Sequence, residues 1–220
     1  MKMFIYCAGG FGREVYDVAL RANQAHGRWD QIGFIDDYAE SGSDFYGTTV
    51  YTLDAVLQQF DPAQVETVIA NGEPLYRQRI HDKLAARGVR LGTVIDSGAL
   101  VSAQCEMAPG TIVAPFCQVS GLVKLGANVA INTLSIVGHD VQLGDHCVVS
   151  SMVNVGGGAR IGANSYLGMG ALIKEGVSIG RDVIIGMGAV VYNDIPDGMI
   201  ALGNPARPMR PNVDKLVFKK

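Results

Sequence analysis

A chain of 220 residues with a formal net charge of −3 has no excess of basic side chains, which argues against a nucleic-acid backbone as partner. Its 48% hydrophobic and 18% charged residues describe a globular chain, long enough for one domain or two small ones. No apolar run approaches the ~20 residues of a membrane span, and Met1 to Tyr6 runs at once into Gly-rich sequence unlike a signal peptide.

Taken in chain order, MFIYCA reads as an apolar strand, GGFG as a tight turn, and REVYDVALRANQ as a helix with Val15, Val18 and Ala19 on one face. QIGFIDD is a second strand and VETVIANG, Val65 to Gly72, a third, followed by the helix PLYRQRIHDKLAARG, which stops on Gly88. Strand, helix, strand, strand, helix predicts a small parallel, Rossmann-like α/β sheet over residues 1–91, with ligands at the carboxyl ends of its strands. The turn Cys7 to Gly12 can offer free backbone N–H groups to a phosphate at a helix start. Its spacing departs from the dinucleotide fingerprint, and such turns also occur without a ligand. Asp36 and Asp37, after the second strand, stand where acids can take ribose hydroxyls or base N–H groups.

From Val94 to Ile195 the sequence repeats every six residues without interruption, in units such as KLGANV, QLGDHC, RIGANS and SIGRDV. The second position is aliphatic or Met throughout, and the sixth is small or aliphatic. A period of six fits neither a helix nor a plain half-buried strand and predicts a parallel β-helix whose coils form a core only by stacking. Gly, Asn and Asp gather at the turn positions. With no hexad interrupted, no long loop leaves the coil, so a site must lie on the outer faces or between subunits. Cys105, Cys117 and Cys147 occupy sixth positions, and with Cys7 they form no CxxC pair. They read as buried free thiols in a reduced, cytoplasmic protein.

His26 and His81 read as surface residues, leaving His139 and His146 in the β-helix. His139 is the fourth residue of IVGHDV, an outward turn position, and Asp140 beside it can orient the ring. Imidazole, with an ordinary pKa near ~6.5, suits proton abstraction at neutral pH. Two histidines and inward cysteines do not make a zinc site, and no metal is expected.

The uninterrupted hexads followed by GNPAR, Gly203 to Arg207, resemble the left-handed β-helix acyltransferases, and residues 1–91 resemble one subgroup of them. That subgroup comprises bacterial nucleotide-sugar acyltransferases similar to sialic acid O-acetyltransferases and to the UDP-4-amino-sugar N-acetyltransferase of bacillosamine synthesis. The resemblance implies a left-handed β-helix over residues 92–220, ending in a basic tail, and a homotrimer with acetyl-CoA bound at the subunit interfaces. It implies that Gly9, Gly10, Phe11, Asp36, Asp37, Gly72 and Glu73 hold the nucleotide of a nucleotide-linked amino sugar, with Arg13 a further phosphate candidate. The stretch Asn132 to Asp140 resembles the family's catalytic segment: His139 as general base, Asp140 as its orienter, Asn132 as an acceptor contact. Many relatives carry a second His where this chain has Val148, so His146 is left outside the catalytic set.

In an eighteen-residue coil, Gly157 stacks on His139. Gly157, Gly158, Gly170, Met187, Gly188, Pro205 and Arg207 are the expected acetyl-CoA contacts. The implied activity is acetyl-CoA-dependent N-acetylation of a UDP- or dTDP-linked amino-dideoxy sugar, a 4-amino sugar being favoured, for bacterial surface glycan or O-antigen synthesis. O-acetylation of a sialic acid and a non-catalytic nucleotide-binding scaffold are the alternatives.

Overall fold

The computed structural model describes residues 1–218; Lys219 and Lys220, the end of the basic tail, lie outside the described residues. Strands β1 (Lys2–Tyr6), β2 (Gln31–Ile35), β3 (Asp44–Phe45), β4 (Thr48–Tyr51), β5 (Val65–Ile69) and β6 (Arg90–Leu91) form one sheet in the order β3-β4-β2-β1-β5-β6. All pairs are parallel except β3 with β4. Helix α1 (Gly10–His26) buries Val15, Val18, Ala19 and Ala22, a stripe at helical spacing, and ends on Gly27 in the left-handed region. Helix α2 (Leu53–Gln59) is capped by Thr52 Oγ1, which accepts from Ala55 N at 3.2 Å, and α3 (Pro74–Ala86) opens on a proline. The sequence reading missed β3, β4, α2 and β6. The β3–β4 hairpin turns through Tyr46 and Gly47, both at positive φ, and a Tyr at the first of these positions gives no turn signal.

Two-residue strands begin at Val94–Ile95 and recur every hexad to Val190–Val191, forming a left-handed parallel β-helix. Register joins residues eighteen apart, Ile112 to Ala130 and Ala130 to Val148, which is three hexads per triangular coil. The three faces are sheets of eight, six and five strands, here called first, second and third. Second-position side chains such as Val113, Ile131, Val149 and Leu167 are fully buried in one continuous core. Corners demand left-handed backbone, and the chain meets this with glycine, Asn or Asp at many of them and with Phe116, Leu134 and Met152 at others. At Gly138 a Cβ would lie 2.7 Å from Gly157 N, so coil stacking itself requires glycine there. An antiparallel pair, Met199–Leu202 with Arg207–Pro211, closes the first face.

The outward residues of the first face are apolar. Val94, Ile112 and Ala130 are fully buried in the same cluster as Val15, Val18 and Ala19 of α1, so the α/β unit sits on this face. The third face presents Glu106, Lys124, Gln142 and Arg160 to solvent.

Candidate active site

At the carboxyl ends of β1, β2 and β5 lies a cleft of about 590 Å³, lined by Tyr6, Cys7, Ala8, Gly9, Asp36, Asp37, Tyr38, Asn71 and, from α3, Tyr76, Arg79, Ile80 and Lys83. The β1–α1 turn makes its floor. Cys7 takes a left-handed φ of 84°, and a Cβ at Gly12 would strike the Cys7 carbonyl oxygen, so the helix can start this close only with glycine. Gly9 caps α1 without a side-chain bond, and no acid stands in the first turn, which leaves the positive helix end open to an anion.

The two aspartates line this cleft but are already engaged. Asp36 accepts from Ala8 N and Tyr38 N, each at 3.0 Å, and so shapes the turn. Asp37 accepts from Lys83 Nζ at 2.6 Å, from Leu53 N at 3.0 Å and from the Tyr6 hydroxyl. Burial pushes Asp37 upward, but the bonds from Lys83, Tyr6 and Leu53 outweigh it and hold the carboxyl below its ordinary value. Tyr6 is pushed up, first by burial and then by Asp37.

The other expected nucleotide residues are dispersed. Phe11 turns away into a second, smaller cleft of about 210 Å³ between α1 and the β-helix, shared with Glu14, Pro115 and Thr133. Glu73 is buried, and its carboxylate accepts from Val217 N at 2.7 Å and Phe218 N at 2.8 Å. A Cβ on Gly72 would lie 3.2 Å from the Phe218 ring. The C-terminal tail thus occupies both. Arg13 lies over the Phe45 ring at 5.8 Å.

His139 projects from the corner between the second and third faces, with 76% of its side chain exposed, and its Nδ1 is 2.8 Å from Asp140 Oδ2. With Nδ1–H given to the carboxylate, Nε2 keeps a lone pair free to accept a proton, the arrangement a general base needs. Asp140 reaches back because its own backbone is left-handed, φ 61°. A Cβ on Gly157 would lie 2.6 Å from His139 Nε2 and Cε1, so the space above this glycine is filled by the imidazole itself. Gly158 N donates to His139 O at 2.8 Å.

Asn132 and His139 stand at opposite edges of the second face in the same coil, and the Asn132 amide oxygen is buried without a partner. The expected acetyl-CoA contacts divide in the same way. Gly157 and Gly158 lie at the His139 corner; Gly170, Met187 and Gly188 lie at the Asn132 corner; Pro205 lies beside the closing strand that begins at Arg207.

His81, read from the sequence as a surface residue, packs against His146, which the sequence reading left outside the catalytic set. His81 is half-buried, its ring 5.1 Å from that of the buried His146. Asn128 stands between His146 and Arg77, which is fully buried and, among the described residues, pairs with no carboxylate. Asn128 Oδ1 accepts from Arg77 Nη2 at 2.6 Å, so the amide nitrogen at 3.1 Å from His146 Nδ1 must donate and the ring must be neutral. Burial first, then His81, brings His146 down to about 4. Burial likewise lowers Arg77 to about 9, and it stays charged at neutral pH. No sequence pattern signals the Arg77–Asn128 pair, which joins residues far apart in the chain.

Residues 2–84 match the PglD N-terminal domain, and residues 158–193 match the bacterial transferase hexapeptide (six repeats). The acetyltransferase domain of PglB from Neisseria gonorrhoeae FA1090 is 32% identical with a TM-score of 0.87, over 94% of this chain and 99% of that one. The chain belongs to the left-handed β-helix sugar acetyltransferases. This acetyltransferase is also 27% identical (TM-score 0.85) to an Asn-for-His mutant of perosamine N-acetyltransferase from Caulobacter crescentus in complex with CoA and GDP-perosamine, over 96% of this chain and 97% of that one. WeeI from Acinetobacter baumannii AYE is 28% identical with a TM-score of 0.84, over 95% and 100% of the two chains. Among the described residues of this acetyltransferase, no group of three His, Cys, Asp or Glu is placed to hold a metal, and no helix is long and apolar enough to cross a membrane.

Proposed function

We propose that this acetyltransferase moves the acetyl group of acetyl-CoA to the amino group of a nucleotide-linked amino-dideoxy sugar, a UDP- or dTDP-linked 4-amino sugar. The His139–Asp140 pair carries the reading. Nε2 of His139 takes a proton from the amine as its nitrogen attacks the thioester carbonyl, and the CoA thiolate leaves; Asp140 orients the ring and stabilises its charged form. The cleft at the β1–α1 turn suits a nucleotide: an uncapped helix end for the phosphates, with Tyr38, Tyr76, Arg79 and Lys83 around the nucleoside.

We further propose a homotrimer. Residues divided between two corners of one chain make a single site only if a second copy brings the Asn132 corner of one subunit to the His139 corner of the next. The exposed Phe116, Leu134 and Met152 form an apolar row along the Asn132 corner, with Leu100, Ile136 and Leu172 on the second face beside it. The boundary between the two working units is placed at residues 91 and 92, and four free cysteines suit the cytoplasm.

The test is to incubate the protein with acetyl-CoA and a panel of UDP-, dTDP- and GDP-linked 4-amino and 3-amino sugars and sialic acids, then identify the product by mass spectrometry and NMR. An N-acetylated nucleotide sugar supports the reading. O-acetylated sialic acid alone moves the protein to the alternative, and no product with any acceptor returns it to the scaffold reading.

A further inference from the structure

We infer that Arg77 is a positioning residue for acetyl transfer: it locks the nucleotide cleft onto the β-helix at the angle that delivers the acceptor sugar. The inference rests on the function proposed above. Helix α3 has two working sides. Tyr76, Arg79, Ile80 and Lys83 line the nucleotide cleft. Arg77, Gln78 and His81 face a corner column of the β-helix formed by Asn128, His146 and Asn164, the last donating to Gln78 Oε1 at 3.2 Å.

The Arg77 guanidinium spans both units. Nε and Nη2 donate to Asn128 O at 3.0 and 2.7 Å, Nη2 donates to Asn128 Oδ1 at 2.6 Å, and Nη1 donates to Asn71 O at 3.2 Å and to Ile69 O. Asn128 returns a bond from Nδ2 to Arg77 O at 3.1 Å. Ile69 ends β5 and Asn71 is itself a wall of the cleft, so one rigid fork ties that wall to one residue of the β-helix.

Burying a cation with no anion is costly, and an apolar residue would fill the space more cheaply. The packing of α1 on the first face supplies cohesion without direction, and other directional bonds between the units, Arg21 Nε to Asp96 Oδ2 at 2.7 Å and Asn164 Nδ2 to Gln78 Oε1 at 3.2 Å, are single contacts. Carbonyl bonds from a planar fork are directional. What Arg77 adds is orientation, and the reacting atoms of a transfer enzyme depend on orientation to within about 1 Å.

The experiment measures steady-state kinetics for Arg77→Met, Arg77→Lys and Asn128→Gly, with folded fraction set by thermal melts and both substrates varied. Asn128→Gly keeps the carbonyl that accepts from Arg77 and suits the left-handed backbone, φ 57°, so it is the milder variant should the Arg77 substitutions fail to fold. The expected result is a rise of about tenfold in the KM of the nucleotide-linked amino sugar in Arg77→Met, about threefold in Asn128→Gly, no rescue by Lys, and an unchanged acetyl-CoA KM. A merely structural role lowers the active fraction and leaves both KM values alone; that outcome in a folded variant overturns the inference. Wild-type protein that turns over no nucleotide-linked amino sugar overturns the functional reading, and this inference with it.

Discussion

At the residue scale, the site was legible where chemistry and position coincided. His139 stands at an outward turn position beside an acid, and the structure pairs them at 2.8 Å. Arg77 was not legible, because an Arg in a charged helix reads as solvated and only the β-helix packed against α3 buries it. Two predictions belong here. Gly157→Ala places a methyl where the imidazole lies, so kcat should fall about 100-fold while the melting temperature holds, checked by turnover and melts on the same preparation. His146 titrates at about 4 in the folded protein, below the ordinary ~6.5 of the unfolded chain, so the unfolded state takes up the proton first. The stability from this group is full above about pH 6.5 and is lost as pH falls toward 4. Its neighbours Asp145 and Asp82 oppose the shift, while His81 and Arg77 reinforce it. Denaturant titrations of wild type and His146→Asn across that window should show the steeper pH dependence in wild type.

At the element scale, the hexads fixed strand positions because each coil must bury its second residue, and every strand from Val94–Ile95 to Val190–Val191 falls where the period places it. A further signal went unread. On the first face the outward residues Val94, Ile112, Ala130, Val148 and Ile184 are apolar, whereas the same position on the third face is polar. The pattern repeats every third hexad and marks the face that must be covered. The β3–β4 hairpin and α2 escaped because short elements carry little periodicity. Ile112→Ala should therefore cost about 2–5 kcal/mol of stability, as a core truncation does. Lys124→Ala, at the same hexad position on the open third face, should stay within about 0.5 kcal/mol, its ion pair to Glu106 at 3.6 Å being exposed. Denaturant melts of the two variants decide this.

At the scale of the whole molecule, the arrangement of the expected site is the argument for assembly. Nucleotide cleft, base and acetyl-CoA contacts are spread over an α/β unit and two corners of a prism, and neither corner alone encloses a thioester. The sequence could name these residues but not their separation, since positions a few residues apart along one coil stand at different corners. Replacing Phe116 by Glu, at one end of the exposed apolar row, should convert a trimer in sedimentation to monomer and abolish turnover together. A wild-type protein that sediments as a fully active monomer contradicts the shared site.

The most direct test of the central claim is the rate of CoA thiol release by wild type and His139→Ala with acetyl-CoA and a nucleotide-linked amino sugar that the wild type accepts. The account predicts a fall of about 10²–10⁴ in kcat/KM with the fold intact, the range expected for loss of a general base. Undiminished turnover in the variant would show that His139 does not carry the chemistry.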